Sequence, residues 1–372
     1  MLTLVLASLL AQGVSDDDIL IGMEGEAQSF SVDEENLGMR LVMRHVNAAG
    51  GVHGRRLVEI AYPRDPSRAV ESQVANARRL IEKDDVFLLF NFGGPGSVDI
   101  ADMANAHGVP HLFPHTALIT GVATRAVFTS FPRYDDETRI MLRYVADTLG
   151  AARIGVIHAS NDYGRYFVDR TREFASQLGY AFVGAHALDR QAGDAIAQVA
   201  ALAETNADTV VMAVYPAGAR RIVAARAELD VDVQLVSTGP LTDEQYFDVD
   251  GLANGTVGFC HYPDPNESSE PGIVAYRELM DEFYPGHPLN RYSLYGYVFG
   301  SLIVEGLRRA GPNLERDTFL AAMESIKSWN SGGILPPVSF SPVDHHAQDA
   351  GFVCQLRNGR FEPLSGWLGG AR

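Results

Sequence analysis

The sequence is poor in cysteine, in basic residues and in long apolar runs, and each shortage excludes a class of protein. Its 372 residues include 2 cysteines, too few for a disulfide scaffold or for a zinc site with four cysteine ligands. The 30 lysines and arginines are outnumbered by 47 aspartates and glutamates, and the net charge of −17 repels phosphate backbones, so we expect no nucleic acid partner. After the first residues, no run reaches the roughly 20 apolar residues that span a bilayer.

The composition nevertheless supports packed cores. Hydrophobic residues make up 46% of the chain, and at about 100–200 residues per domain the length indicates two domains. The start is different, because residues 2–11 are apolar or small and residues 16–18 are all acidic. A short apolar run that ends in small residues, where a signal peptidase would cleave, is typical of a secretory signal. We therefore expect residues 1–15 to be the remnant of a signal peptide whose start is truncated, and the mature protein to be periplasmic; a buried strand is the alternative.

Apolar strands alternate with amphipathic helices along most of the chain. The runs at 86–90 and 209–214 are typical of strands buried in a parallel sheet, and apolar residues at helical spacing follow each of them. The alternation restarts after residue 133 and gives way near residue 263 to a loop, three helices and short strands that include 338–340. We predict an α/β fold with two doubly wound, Rossmann-like lobes.

A glycine-rich loop follows the apolar strand at 86–90. Its sequence over 91–97 is NFGGPGS. Glycines let a ligand approach the backbone, and the N-terminus of the next helix offers N–H groups to a carboxylate or another acceptor-rich group. A tight turn that binds nothing is the alternative. The loop has neither the ending of a P-loop nor the spacing of a dinucleotide motif, so we expect no nucleotide cofactor.

No motif in the sequence requires catalysis or a metal. His107, His111 and His115 recur every four residues, but a glycine and two prolines interrupt any helix that would align them. The sequence has no Gly-x-Ser-x-Gly motif, and the acidic residues at 135–137 are explained by a helix dipole. We predict a protein that is not an enzyme and has no cofactor, in which His115 is free to hydrogen-bond a ligand.

Two tyrosines lie just past predicted strands in the second half of the chain. Tyr163 follows the strand at 153–158, and Tyr215 follows the strand that ends at residue 214. The carboxyl ends of parallel strands are where open α/β sheets bind ligands, and tyrosine contacts a ligand with both ring and hydroxyl. Ordinary aromatic residues at the edge of the core are the alternative. The joint placement of the two tyrosines favours binding.

The order of these segments resembles the type I periplasmic binding proteins, specifically the branched-chain amino-acid (Leu/Ile/Val) binding family of ABC importers. The resemblance covers residues 19–364, and its landmarks are NAAGGVHG at 47–54, RDP at 64–66, GGPG at 93–96, DYG at 162–164 and PVSFSPVDH at 337–345. It implies two lobes joined by a three-strand hinge that close on a small ligand. Lobe 1 would hold residues 16–133 and 263–335, and lobe 2 residues 134–262 and 336–372.

The resemblance also implies the ligand-binding residues. In the family, loops that match 93–97 and 115–117 hold the ligand carboxylate, aromatic positions match Phe30 and Tyr163, and Tyr215 falls beside another. The expected ligand-binding residues are Phe30, Gly93, Gly94, Gly96, Ser97, His115, Thr116, Ala117, Tyr163, Tyr215 and Leu241.

Three departures from the family pattern change the expected ligand. Gly94 and Ala117 stand where the family has a serine and a threonine that bind the carboxylate. Leu241 aligns with the glutamate that pairs with the ligand ammonium. Asp243 or Glu244 would take over that pairing only if the loop were shifted by a residue or two. A buried ammonium without a counter-charge is strongly unfavourable. We therefore predict a ligand without an α-amino group, such as an aromatic or aliphatic carboxylate, an amide or a urea-like compound.

The resemblance implies the substrate-binding protein of an ABC importer, with permease and ATPase subunits as partners, and we expect it to be a monomer. A ligand-sensing regulator or receptor subunit with the same fold is the alternative. Cys260 and Cys354 lie in strands that would be neighbours near the hinge. A disulfide and two buried thiols are equally consistent with the sequence.

Overall fold

The computed structural model describes residues 12–26, 29–94, 96–119, 125–243 and 250–369. The strands in these ranges are β1 (Asp18–Glu24), β2 (Arg56–Tyr62), β3 (Leu88–Phe90), β4 (His111–Leu112), β5 (Val127–Phe128), β6 (Arg153–Ala159), β7 (Ala181–Leu188), β8 (Thr209–Ala213), β9 (Gln234–Ser237), β10 (Val257–Cys260), β11 (Ala350–Arg357), β12 (Arg360–Pro363) and β13 (Leu368–Gly369). The helices are α1 (Phe30–Ala48), α2 (Ala69–Glu82), α3 (Ser97–Ala106), α4 (Tyr134–Leu149), α5 (Asp162–Leu178), α6 (Ile196–Glu204), α7 (Pro216–Glu228), α8 (Pro271–Phe283), α9 (Arg291–Ala310) and α10 (Arg316–Glu324), with 3₁₀ turns at Pro66–Arg68 and Gly239–Leu241. The run at residues 2–11, predicted as part of a signal peptide, lies outside the described residues.

The chain divides into two compact units. Unit 1 consists of Met1–Phe131 and Pro265–Gln348, and unit 2 of Pro132–Asp264 and Asp349–Arg372. The first two boundaries lie within two residues of those predicted from the sequence. The third differs, because residues 336–348 belong to unit 1 and were expected in the second lobe.

Backbone pairing and aromatic packing explain the position of the third boundary. Val338 exchanges two backbone hydrogen bonds with Trp329, at 2.8 and 3.0 Å, so the predicted strand at 338–340 is only an isolated bridge. The ring of Phe340 packs edge-on against Phe128, 5.0 Å between centroids. The ring of His345 stacks on the ring of Phe128, with 4.0 Å between the centroids. These contacts hold the segment against β5 of unit 1.

The sheet of unit 1 is parallel and has the strand order β2-β1-β3-β4-β5. All three residues of β3 are buried, as expected for the apolar run that predicted this strand. Strand β5 is two residues long, too short for the apolar pattern to reveal it. Because neighbouring strands are parallel, the segments that follow β1, β3 and β4 emerge at the same edge of the sheet.

Helices α1 and α9 of unit 1 cross closely through glycine. A Cβ added to Gly296 would lie 1.9 Å from the carbonyl oxygen of Glu35, and one added to Gly38 would lie 2.0 Å from the carbonyl oxygen of Ser293. Neither position has room for a side chain, so the two backbones touch. This crossing brings the first turns of α1 and α9 together beside the glycine-rich loop.

The sheet of unit 2 has the order β12-β11-β10-β9-β8-β6-β7, with β13 paired to β11. Strands β6 to β10 pair in parallel, whereas β11 runs antiparallel to β10 and β12. Cys260 of β10 and Cys354 of β11 form a disulfide, so the pairing that the sequence left open is present. The parallel sheet of unit 1 and the mainly parallel sheet of unit 2, with their connecting helices, confirm the predicted α/β fold class.

Candidate functional site

The first candidate site, which we call the unit 1 surface, lies where β3 and β4 end and α1, α3 and α9 begin. Its residues are Phe30, Gly93, Gly94, Gly96, Ser97, His115, Thr116, Ala117, Phe131 and Tyr292. The structure thus brings together the predicted candidates from the first half of the chain. It adds Phe131 and Tyr292, for which the sequence analysis had no signal.

The glycine-rich loop and the loop after β4 touch through their backbones. A Cβ added to Gly93 would lie 2.3 Å from the Cβ of His115, so no larger residue fits there without displacing the second loop. The Gly94 N–H donates to the carbonyl oxygen of His115 at 3.4 Å, and Gly94 has a φ of +74° that favours glycine. The backbone conformation of Gly94 therefore disfavours a serine, the residue that the family has at this position.

The hydroxyls on the unit 1 surface differ in what they bond. Ser97 is buried at the start of α3, and its Oγ has no hydrogen-bond partner among the described residues. Thr116 is buried too, but its Oγ1 accepts the N–H of Leu118 at 3.1 Å. Ala117 is buried and offers no side-chain hydrogen bond. Ser97 is therefore the hydroxyl of the predicted set that the described residues leave without a hydrogen bond, just beneath the unit 1 surface.

His115 lies against a buried carboxylate that the sequence analysis missed. Its Nδ1 is 2.6 Å from Oε1 of Glu35 on α1, and Glu35 is completely buried. Burial raises the pKa of the Glu35 carboxyl, against the lowering effect of His115. The sequence does hold a signal, because Glu35 follows Val32 by three residues and precedes Met39 by four, and so falls on the buried face of α1.

Aromatic rings surround His115. Phe131 meets its ring edge-on at 4.9 Å, and the Tyr292 ring is 6.1 Å away. Phe30 in turn packs edge-on against Tyr292 at 6.3 Å and is 38% exposed. Together they make an apolar wall around one imidazole, which suits a ligand with an acidic group and an apolar body.

A buried polar network supports the glycine-rich loop from behind. Nε2 of Gln73 donates to the carbonyl oxygen of Gly93 at 2.5 Å and to Oε2 of Glu24 at 3.0 Å. Glu24 is fully buried and accepts two hydrogen bonds from Arg64, at 2.5 and 2.6 Å. Arg64 belongs to the RDP landmark, whereas Glu24 and Gln73 had not been predicted to matter. The network fixes the loop through side chains that are not themselves part of the unit 1 surface.

The second candidate site, the unit 2 surface, contains both predicted tyrosines. Tyr163 is buried, its hydroxyl lies 2.7 Å from Oγ1 of Thr238, and burial raises its pKa well above the usual value. Its ring stacks on that of Tyr215 at 5.5 Å. Tyr215 is 44% exposed, and its hydroxyl accepts from Nδ2 of Asn161 at 3.0 Å. Tyr215 therefore presents an open ring face, while Tyr163 supports it from below.

Leu241, the remaining predicted ligand-binding residue, lies apart from the exposed ring of Tyr215. Its side chain is completely buried in the core of unit 2. Close by, the Gly239 N–H donates to Oε1 of Glu137 at 2.8 Å, and a Cβ on Gly239 would lie 2.4 Å from Nε2 of His261. Glu137, which the sequence analysis explained by a helix dipole, is thus a buried carboxylate that bonds this turn. Asp243 is also buried, and Glu244 lies outside the described residues.

The three histidines spaced by four do not share a site. His111 is fully buried and burial lowers its pKa to about 3, whereas His107 lies 3.8 Å from Glu82 and His115 lies beside Glu35. No group of three or more potential metal ligands comes together in the described ranges.

Comparison with known proteins places this arrangement in a family. The sequence profile described as "Periplasmic binding protein" matches residues 19–360. The chain belongs to the periplasmic binding protein family. As a member, it is a periplasmic solute-binding protein. Within the described ranges, this periplasmic binding protein has no helix with the length and hydropathy needed to cross a bilayer.

Individual relatives of this periplasmic binding protein are distant in sequence. The "Leu/Ile/Val-binding protein homolog 2" of Brucella abortus (strain 2308) is 23% identical over 318 residues, which cover 83% of each chain. A possible leucine/isoleucine/valine-binding protein from Rhodopirellula baltica SH 1 has a TM-score of 0.84 at 17% identity, covering 94% of this chain and 96% of its own. A fatty acid ABC transporter substrate-binding protein from Thermomonospora curvata has a TM-score of 0.84 at 19% identity, covering 96% and 94%. The two solved structures show that the fold is shared.

Proposed function

We propose that this periplasmic binding protein is the extracytoplasmic substrate-binding protein of an ABC importer and that it captures a small carboxylate or amide solute. The observation that carries the proposal is the unit 1 surface. It combines the glycine-rich loop at the N-terminus of α3, the unpartnered Ser97 hydroxyl and the His115 imidazole within a wall of aromatic rings. Permease and ATPase subunits are the partners that this role requires.

The ligand we propose carries no α-amino group. Leu241 replaces the expected ammonium partner and is buried in the core. The buried Glu24 is paired with Arg64. Of the two oxygens of the buried Glu137, Oε1 accepts the Gly239 N–H and Oε2 lies 3.7 Å from Nε2 of His261. The names of the relatives mention Leu/Ile/Val and a fatty acid, two classes of solute that share a carboxylate and an aliphatic chain. The ligand that we propose therefore has a carboxylate or amide group and an apolar body.

We further propose that one solute contacts both the unit 1 and the unit 2 surfaces. Tyr215 would supply its open ring face, and contacts that exist only in the closed form would favour closure. Mutation of Tyr215 to alanine should then weaken solute binding even though the unit 1 surface is unchanged. Mutation of the exposed Leu229 to alanine, on the same unit, is the matched control and should leave affinity unaltered.

Calorimetric titration with matched solutes tests the proposed ligand class. The panel pairs leucine with isocaproate and valine with isovalerate, which differ only by the amino group, and adds octanoate, benzoate and benzamide. We expect the deaminated member of a pair, or another panel compound without an amino group, to bind more tightly than leucine and valine. Selective binding of leucine or valine would refute the proposal on the ligand.

A transport assay tests the importer role. Deletion of the gene should abolish uptake of the bound solute by the producing cell, and re-expression should restore it. Uptake that persists while a cellular response to the solute is lost would instead support the sensor role.

A further inference from the structure

The His115 imidazole has one nitrogen bonded and one nitrogen open. Nδ1 is 2.6 Å from Oε1 of Glu35, whereas Nε2 makes no hydrogen bond with the described residues. The His115 side chain is 18% exposed, so solvent or a ligand reaches it. On the buried side, Oε2 of Glu35 also has no partner among the described residues. The shortest hydrogen bond of this fully buried carboxylate goes to the imidazole, and a hydrogen bond from the Asn91 side chain also lowers its pKa.

The number of protons on this pair decides what Nε2 can do. With one proton, that proton lies between Glu35 and Nδ1, the pair carries one negative charge, and Nε2 is only an acceptor. With two protons, the pair is neutral overall, whichever of the two groups holds the shared proton, and Nε2 is a donor. Burial disfavours the negative form, as the raised pKa of Glu35 shows. The pair is thus biased towards the form in which Nε2–H points outward.

Two other buried carboxylates near this pair have their own partners. Glu34 of α1 accepts from Nδ2 of Asn290 at 2.7 Å and lies 2.9 Å from Nε2 of His287. Behind the glycine-rich loop, Glu24 is paired with Arg64. Further groups on these elements are Asp33 on α1, Asp99 on α3, His111 on β4, and Arg291 and Tyr292 on α9. Glu35 is the carboxylate that lies within hydrogen-bond distance of His115.

We propose that the Glu35–His115 pair is the carboxylate anchor of the unit 1 surface, with Nε2–H of His115 donating to the ligand carboxylate. The inference rests on the proposed function and makes it more specific, because it selects a monocarboxylate over the matched amide. The anchor replaces hydroxyl contacts that Gly94 and Ala117 cannot supply. Phe131 and Tyr292 border the imidazole, so the rest of the ligand meets apolar surface.

This anchor makes carboxylate binding depend on pH. Only the form with two protons donates from Nε2, so a carboxylate binds and holds that second proton. As the pH rises and the proton leaves, Nε2 becomes an acceptor facing an anion, and affinity falls. A neutral amide has both a donor and an acceptor, so its affinity changes much less with pH.

Calorimetry with benzoate, benzamide and isocaproate tests the anchor in the full chain, from about pH 5.5 to about pH 8.5, where histidine titrates. The variants are His115→Gln and Glu35→Gln, with His45→Gln, an exposed histidine on α1, as the matched control. Loss of a hydrogen bond to a charged group predicts about 10- to 100-fold weaker carboxylate binding in His115→Gln. Glu35→Gln should change the pH at which affinity falls, and His45→Gln should behave as the wild type.

Nitrogen-15 NMR of the imidazole gives a readout that needs no ligand. The signal of the proton that Nδ1 shares with Glu35 should change in Glu35→Gln, and thermal denaturation checks that each variant is folded. The inference is overturned if carboxylates bind His115→Gln as tightly as the wild type, or if their affinity is independent of pH. Failure of the proposed function looks different, because the wild type itself would then bind no solute of the panel.

Discussion

Replacing Arg64 by methionine isolates the buried pair behind the glycine-rich loop. In the wild type, the guanidinium donates two hydrogen bonds to Glu24, which is completely buried, while Arg64 itself is 12% exposed. Methionine keeps much of the side-chain volume but removes the charge. The substitution leaves a buried carboxylate whose remaining side-chain donor is Gln73.

The expected loss of stability is large. Breaking a buried ion pair by removing one partner costs about 3–5 kcal/mol, because the other charge stays buried and unpaired. Arg56 offers a matched control, since it pairs with Asp18 at 2.9 Å but is 66% exposed. Arg56→Met should cost less than about 1 kcal/mol, as exposed ion pairs do. Glu24→Gln combined with Arg64→Met should be more stable than Arg64→Met alone.

The stability lost in Arg64→Met should depend on pH, and the direction follows from the pKa of Glu24. Burial raises the pKa of Glu24 above its usual 4.5, against the lowering effects of Arg64 and Gln73. A carboxyl whose folded-state pKa is raised contributes stability below its unfolded pKa and loses that contribution as the pH rises through the folded pKa. Without Arg64 the pKa rises further. The stability gap between Arg64→Met and the wild type should therefore shrink as the pH falls towards 4.5.

Urea denaturation at several pH values measures the free energies of unfolding. The same variants are titrated with the best-binding solute, because Gln73 links Glu24 to the Gly93 carbonyl and loss of the pair should also weaken binding. An Arg64→Met variant that loses no more stability than Arg56→Met, or whose deficit is the same at all pH values, would refute the reasoning.

Three further predictions follow from packing and cross-linking. Gly93→Ala places a Cβ 2.3 Å from the Cβ of His115. Overpacking of this kind costs about 1–3 kcal/mol and should weaken solute binding at least several-fold in calorimetry, and an unchanged affinity would show that the two loops separate freely. Replacing Cys260 and Cys354 by serine opens a loop of 94 residues, and urea denaturation should show a loss of about 2–5 kcal/mol unless the unfolded chain is already compact. Leu241→Ala should lose about 2–5 kcal/mol of stability but leave the affinity of the folded protein unchanged, and a selective loss of affinity would place its side chain in the ligand site.

Much of the fold could be predicted from local sequence patterns. Apolar runs such as the one that became β3 and stripes at helical spacing depend only on which faces are buried, so they identify strands and helices without knowledge of the partners. Strand β5 escaped prediction because two residues carry no periodicity. The bridge at Val338 was overpredicted as a strand, because an apolar alternation does not reveal whether a pairing partner continues.

The candidate site could be predicted where glycine, histidine and tyrosine follow strands, but its buried carboxylates could not. Glu35 looks like any acidic residue on a helix until the crossing of α1 and α9 buries it against His115. Glu137 likewise reads as a helix-dipole residue until it bonds the Gly239 N–H. The burial of Leu241 could not be predicted either, since a position taken from a family pattern does not say whether its side chain faces solvent or the core.

The sequence by itself determined the alternation of strands and helices, the two-part organisation of the chain and the family resemblance, because these follow from hydrophobic spacing and from turn residues close together in the chain. Only the tertiary structure decided where residues 336–348 belong, that Cys260 and Cys354 are bonded, and which carboxylate stands behind His115. Each of these is a contact between residues far apart in sequence. Its energy depends on burial and distance, two quantities that exist only once the chain has folded.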